Sequence, residues 1–290
     1  MKPTLRRNSF IVSSFCSGRN ADMSTRGHHV LVFDSGVGGL SVVSEIRGRL
    51  PKTYLSYVAD DEFRPYGSKT EAQLQARLPG LLATLTHMLS PNALVIACNT
   101  ASTTALPSIR AAVKIPVIGV VPAIKPAAEI SKTRAIGVLG TPGTVRRKYV
   151  DNLIADFAPE CHVLLKGSTR LVAEAEKKLA GQAVDMEIIR EEIAPLFAGR
   201  VGADVDAVVL ACTHFPLLRD ELRAAVRQSV KWIDSGAAIA RRLETVLGDL
   251  AKGALPEHAQ TAFLIGPETD PVRAQAFADY GFDHTVGLLG

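Results

Sequence analysis

Two short stretches end in the same way. ALVIACNT (93–100) and AVVLACTH (207–214) each run from apolar residues into Ala-Cys and then into small polar groups. Cys98 and Cys212 account for two of only four cysteines in the chain. A lone cysteine closing a buried strand is usually a small hydrophobe. A matched pair followed by Asn99 and Thr100 on one side, and Thr213 and His214 on the other, is different. Amide, hydroxyl and imidazole groups fill cores poorly and hold ligands well. Two thiols facing one another across a cleft could bind a metal, form a disulfide, or serve as an opposed acid and base. The metal reading lacks further ligands at sensible spacing. A disulfide suits a cytosolic enzyme poorly. Opposed acid and base groups fit one reaction class: inversion of a stereocentre needs a base on one face and an acid on the other.

A third stretch, FDSGVGGLSV (33–42), follows an apolar run with Asp34, Ser35 and three glycines. It is not a dinucleotide fingerprint, because the third glycine is misplaced, and it lacks the Lys-Ser/Thr of a P-loop. Alone it reads as a tight strand-to-helix turn with Asp34 as a cap.

The elements that must position these groups alternate along the chain. Apolar strand patterns at 29–34, 53–60, 93–98 and 116–121 are separated by helical patterns at 39–50, 70–89 and 103–113, with Pro79 a candidate kink. The order repeats with strands at 134–140, 161–167, 206–212, 230–235 and 261–266. Between and after them, helices are predicted at 144–157, 172–180, 185–197, 216–228, 237–250 and 272–279. This alternation predicts an α/β fold, with mainly parallel sheets flanked by helices. Its strands are continuous apolar runs, as in sheets buried on both faces. Ligands gather at the carboxyl ends of such strands. Asp34, Cys98, Thr141, Cys212 and Asp234 all fall there, so they are expected to be neighbours. Both cysteines are expected just before a helix start, where the dipole favours thiolate.

Length and composition bound the rest. A chain of 290 residues, 47% hydrophobic and 21% charged, can bury a substantial core. A net charge of +4 without a basic block excludes a nucleic-acid footprint. No apolar run reaches the roughly 20 residues of a membrane span. The cysteines show no framework spacing, so a cytoplasmic chain with free thiols is expected. Residues 1–27 have a basic start, but their apolar patch is short and broken by serines, which argues against a signal peptide. They read as a disordered extension, or as a start placed ahead of the true one at Met23.

Taken together, DSGVGGLSV (34–42), RPYGSK (64–69), ACNTAS (97–102), GVLGTPGTV (137–145), ACTHFPLL (211–218) and WIDSG (232–236) resemble the glutamate racemase family, in order from about residue 29 to the C-terminus. The cysteine motifs by themselves indicate only the wider aspartate/glutamate racemase group; the first two segments favour glutamate. The resemblance implies two similar α/β domains with the active site in the cleft between them. The first would be 28–124 plus 237–290, and the second 125–236. It implies interconversion of L- and D-glutamate without a cofactor or metal, supplying D-glutamate for peptidoglycan. Cys98 would deprotonate D-glutamate and Cys212 L-glutamate, assisted by Asp34 and His214. Substrate contacts would come from Asp34, Ser35, Pro65, Tyr66, Gly67, Asn99, Thr100, Thr141, Thr144, Thr213 and His214. Where many members carry Cys-Pro, this chain has Ser168 and Thr169; Glu176 is then the match for the family's active-site glutamate, with Glu174 the nearby alternative. The family forms dimers of more than one arrangement, so a homodimer is implied without its geometry. The rival readings are an aspartate racemase, a non-catalytic dicarboxylate-binding module and a thiol redox protein. Domain closure over substrate is also expected.

Overall fold

The structure, a computed structural model, describes residues 26–250, 252–254, 259–266 and 271–288. The chain opens with β1 (Arg26–Gly27), β2 (His29–Asp34), α1 (Leu40–Arg49), β3 (Tyr54–Ala59), α2 (Glu71–Leu89), β4 (Ala93–Ile96), α3 (Asn99–Ala112) and β5 (Val117–Gly119). A middle section follows: α4 (Ile124–Ile130), β6 (Ala135–Gly140), α5 (Pro142–Val145), α6 (Lys148–Phe157), β7 (His162–Gly167), α7 (Arg170–Leu179), α8 (Met186–Ile193), α9 (Gly199–Ala203), β8 (Ala207–Ala211), α10 (Arg219–Ala225) and β9 (Lys231–Ile233). The chain then closes with α11 (Gly236–Gly248), β10 (Gly253–Ala254), β11 (Thr261–Ile265), α12 (Pro271–Asp279) and β12 (His284–Leu288).

Two parallel sheets result. The first has six strands in the order β12-β11-β3-β2-β4-β5, so the last two strands of the chain return to the sheet begun by the first. The second has four, in the order β7-β6-β8-β9. A short antiparallel pair joins β1 to β10. Of the extension expected over 1–27, all but Arg26 and Gly27 lies outside the described residues, and those two form β1.

Strand alternation explains why both faces are covered. Val30 and Val32 point to a core shared with α1, α11 and α12, where Leu40, Ile46, Leu243 and Phe277 pack. Leu31 and Phe33 point the other way, to Leu74, Leu78, Leu82 and Ile109 of α2 and α3. The second sheet repeats the device. Val208 and Leu210 meet Leu171, Ile189 and Leu222, while Ala207 and Val209 meet Ile124 and Val150.

Helix α2 begins at a capping box. Thr70 accepts from the Gln73 N–H, and the Gln73 side chain returns the bond to the Thr70 N–H. The helix continues through Pro79, because Leu78, Leu82 and Leu85 anchor the face on either side of it.

The single helix expected over 144–157 is instead α5 and α6. Arg147 is extended (φ −79°, ψ 135°), and Thr141 caps a separate first turn by accepting from the Thr144 N–H. The helix expected over 216–228 is a 3-10 turn (Phe215–Leu218) followed by α10. Pro216 has no N–H to extend that turn backwards, so Cys212 does not cap a helix as Cys98 does. The expected strand–helix alternation left out α4, α9, β12 and the β1–β10 pair.

Candidate active site

The carboxyl ends of the two sheets face one another across a cavity of about 440 Å³. From the first sheet, β2 delivers Ser35, the segment after β3 delivers Pro65, Tyr66 and Gly67, and β4 delivers Cys98, Asn99 and Thr100. From the second, β6 delivers Thr141, β8 delivers Cys212, Thr213 and His214, and α7 delivers Glu176. Both cysteines are buried, at 5% and 6% exposure, and neither forms a disulfide.

The glycine-rich turn works by close approach. A Cβ on Gly38 would lie 2.4 Å from His214 Nδ1 and 2.6 Å from Thr213 Oγ1, so only glycine lets this turn meet the opposite sheet. Next to it, Ser41 donates to the Thr213 carbonyl at 2.8 Å. Gly143 does the same on the other side, where a Cβ would come within 2.5 Å of the Gly67 carbonyl oxygen.

Cys98 caps α3, and its Sγ accepts from the Ala101 N–H at 3.5 Å. It also lies 3.7 Å from Ser35 Oγ. Burial pushes the thiol up to about 12, and the nearby Asp34 carboxylate adds to the effect. The expected dipole-favoured thiolate is therefore corrected: desolvation outweighs the helix terminus, and the resting group is a thiol. Asp34 is itself fully buried and is raised mainly by desolvation. It accepts from the Gly39 N–H at 2.9 Å and from Thr213 Oγ1 at 3.5 Å. It stands behind the cavity wall and is not among the lining residues.

Cys212 has a different neighbourhood. Its Sγ is 3.9 Å from His214 Nδ1, and His214 Nε2 is 3.5 Å from Glu176 Oε1. Burial opposes a charged imidazole, yet the nearby Cys212 and Glu176 prevail and push His214 up to about 10, although its Nε2 makes no hydrogen bond across the 3.5 Å to Glu176. Burial likewise opposes the Glu176 charge, but His214, Arg64 and Arg273 hold it down at about 2. The two groups face one another as an ion-pair contact of 3.5 Å. Glu174 points elsewhere: it accepts from Lys177 at 2.6 Å and from the Asp185 N–H at 2.8 Å, away from the cavity.

Neutral polar groups complete the wall. Thr100 Oγ1 is 3.2 Å from Thr141 Oγ1 and 3.0 Å from Thr144 Oγ1, a hydroxyl cluster joining the two sheets. Thr144 is fully buried and braces the wall without lining it. Asn99 Oδ1 is buried at the cavity with no hydrogen-bond partner. The Tyr66 hydroxyl donates to Asp60 at 2.5 Å, and Arg77 clamps that carboxylate from behind with two 2.7 Å bonds. Asp234, expected among these groups, binds Arg219 and the Gly236 N–H instead and does not line the cavity. Sequence reasoning missed Asp61, Arg64 and Arg273. Arg64 stood inside the quoted RPYGSK segment; Arg273, at the start of α12, had no local signal.

Among the described residues, no three His, Cys, Asp or Glu side chains cluster as metal ligands do, and no helix is long and apolar enough to cross a membrane.

A family profile described as Asp/Glu/Hydantoin racemase matches residues 40–243. The chain is 44% identical over 259 residues to a glutamate racemase of Shewanella sp. (strain MR-7), covering 87% of this chain and 94% of that protein. It is 47% identical over 252 residues to the glutamate racemase of Sphingopyxis alaskensis, with the same shares covered. The crystal structure of Escherichia coli glutamate racemase in complex with L-glutamate and the activator UDP-MurNAc-ala superposes with a TM-score of 0.83 at 41% identity. That match covers 90% of this chain and 98% of that one.

Proposed function

The chain belongs to the Asp/Glu/Hydantoin racemase family, among its glutamate racemases, and is an isomerase; on that premise we propose that it interconverts L- and D-glutamate by proton transfer between two cysteines. One observation carries the mechanism: two buried thiols close matching strands of two different sheets and line one cavity. A substrate α-carbon held between them meets one sulfur on each face.

In the L-to-D direction, the Cys212 thiolate takes the α-proton and the Cys98 thiol delivers its own to the opposite face. The carbanion's electron pair closes the new C–H bond, leaving a thiol on Cys212 and a thiolate on Cys98. In the D-to-L direction the roles exchange. His214, 3.9 Å from Cys212, balances negative charge on that sulfur while Glu176 steadies the imidazolium. A thiol pushed up to about 12 gives a strongly basic thiolate once its proton has left, which suits a weakly acidic α-proton. Asp34 acts from behind the wall on the Cys98 side.

Ser35, Asn99, Thr100, Thr141 and Thr213, with the backbone around Gly67, supply neutral donors and acceptors for two carboxylates and an ammonium. The reaction on this reading needs no cofactor: preorganised hydrogen bonds and excluded water stabilise the developing charge. We read the chain as two domains, 28–124 with 237–290 and 125–236, closing on the substrate. The product would supply peptidoglycan synthesis in a reducing cytoplasm, where both thiols stay free. A homodimer follows from the resemblance and is checked by sedimentation equilibrium.

The test is incubation in D2O with L-glutamate and, separately, L-aspartate, without added cofactor. Glutamate should lose optical rotation and gain deuterium at Cα. Exchange with aspartate alone would make the chain an aspartate racemase. Binding without exchange would make it a dicarboxylate-binding module. Undiminished racemisation by the Cys98→Ala/Cys212→Ala double variant would remove the two-cysteine mechanism.

A further inference from the structure

The mouth of the cavity carries charged groups that proton transfer does not itself require. Asp61 and Arg64 follow β3, and Arg273 opens α12, all on the side of the six-stranded sheet. Glu176 reaches them from α7, beside the four-stranded sheet. Arg64 Nη1 lies 3.2 Å from Glu176 Oε2, and Arg273 Nη2 lies 3.7 Å from the same oxygen. Arg273 also pairs with Asp61, which lies 3.4 Å from Arg64 Nε. The other Glu176 oxygen, Oε1, is the one 3.5 Å from His214 Nε2. One carboxylate thus joins guanidinium groups of one lobe to the imidazole of the other. Cys98 has no such relay; its sulfur meets Ser35 and the Ala101 N–H.

We propose that Arg64 and Arg273 are positioning residues that fix Glu176 against His214 from the opposite lobe, so that the proton-transfer unit around Cys212 is complete only when the lobes are together. The proposal rests on the two-cysteine reading. An isolated glutamate on a helix has several rotamers, and the planar guanidinium fork selects one. The Arg273 and Asp61 side chains are only 13% and 18% exposed, so these pairs are screened less than ordinary surface ion pairs.

The electrostatic consequence has a definite sign. His214 faces Cys212 on its own segment, Asp34 at the end of β2 and Glu176 on α7; Cys98 stands across the cavity, and Arg64, Arg273 and Asp61 lie behind Glu176. Without the two guanidinium groups Glu176 is free to leave its 3.5 Å contact with His214. The imidazolium then loses its carboxylate partner, and the basic limb of the pH profile moves to lower pH.

The experiment compares pH profiles of kcat and kcat/KM for glutamate in the wild type, Arg64→Gln, Arg273→Gln and their double variant. Expected are a roughly ten- to hundredfold loss of kcat in the double variant, KM within about threefold of wild type, as for loss of a transition-state interaction, and a downward shift of the basic limb. The partly exposed single variant Arg64→Gln shows the same shift in smaller degree and guards against loss of folding. Lysine at both positions keeps the charge but lacks the fork, so it should restore the limb only in part. In a Glu176→Gln background the arginine substitutions should change nothing further, because they act through that carboxylate. The proposal is overturned by an unmoved or raised limb, by a loss confined to KM (which would put the arginines on the substrate), or by full additivity with Glu176→Gln. If these variants behave like wild type while the double cysteine variant is inactive, the arginine proposal alone has failed. If the double cysteine variant still racemises, the reading beneath it has failed.

Discussion

Cys98 and Cys212 occupy matching strand ends, yet their surroundings differ. The Cys98 thiol is pushed up to about 12 by burial, so thiolate-dependent alkylation there should rise about tenfold per pH unit between 8 and 10. Mass-spectrometric rates with iodoacetamide check this; a plateau below pH 9 would contradict it. The partners of Cys212 make a second prediction. His214 is held up at about 10, above an unfolded value near 6.5. A raised basic group adds stability that is fully present below about pH 6.5 and is lost as pH climbs through about 10. Wild type should therefore lose denaturant resistance relative to His214→Asn as pH rises from 6.5 to 10, read from urea midpoints. An unchanging difference would mean that the imidazolium is not stabilised by folding. A third prediction concerns the roles of the thiols: Cys98→Ala should lose about 10²- to 10⁴-fold in racemisation. It should still wash deuterium into L-glutamate through Cys212, with retention. Inversion at the wild-type rate would show that Cys98 is dispensable.

At the scale of elements, the strands that end at the cavity were legible because each is a short apolar run stopped by a polar or glycine-rich turn. β2, β4, β6 and β8 therefore announced Asp34, Cys98, Thr141 and Cys212 at their ends. What the pattern could not reveal were breaks caused by tertiary contact. The split between α5 and α6 lets Thr141 and Thr144 reach Thr100 of α3, a contact with no signature in the local sequence. Thr144 and Asp34 were recognisable as site residues, but only packing shows that they brace the wall from behind. Arg273 was invisible because its meaning lies in Glu176, far away in the chain. The close glycine contacts give a prediction at this scale. Gly143→Ala would drive a methyl against the Gly67 carbonyl, and backbone cannot swing aside as a side chain can. It should cost about 1–3 kcal/mol and raise KM for glutamate. By contrast, Leu82→Ala in the core between α2 and the sheet should cost about 2–5 kcal/mol with kcat unchanged at temperatures where the protein stays folded. Calorimetry and kinetics on both variants separate closure from simple packing; equal effects on KM would refute the distinction.

At the scale of the molecule, the chain starts one sheet, builds another completely, and comes back. β3 has β2 on one side and obtains its second neighbour, β11, only from the last part of the sequence. α12 follows, bringing Phe277 within 5.2 Å of the Tyr57 ring, whose hydroxyl donates to the Gly36 carbonyl in the glycine-rich turn. On a ribosome that order becomes a timetable. Both cavity cysteines emerge ahead of β11, but the strand edge beside the Tyr57 ring stays open until β11 and α12 are made, after the entire four-stranded lobe has had time to fold. A nascent chain therefore carries both cavity thiols while the brace behind the glycine-rich turn is still unwritten, and the finished cavity wall arrives with β11 and α12 instead of accumulating along the way.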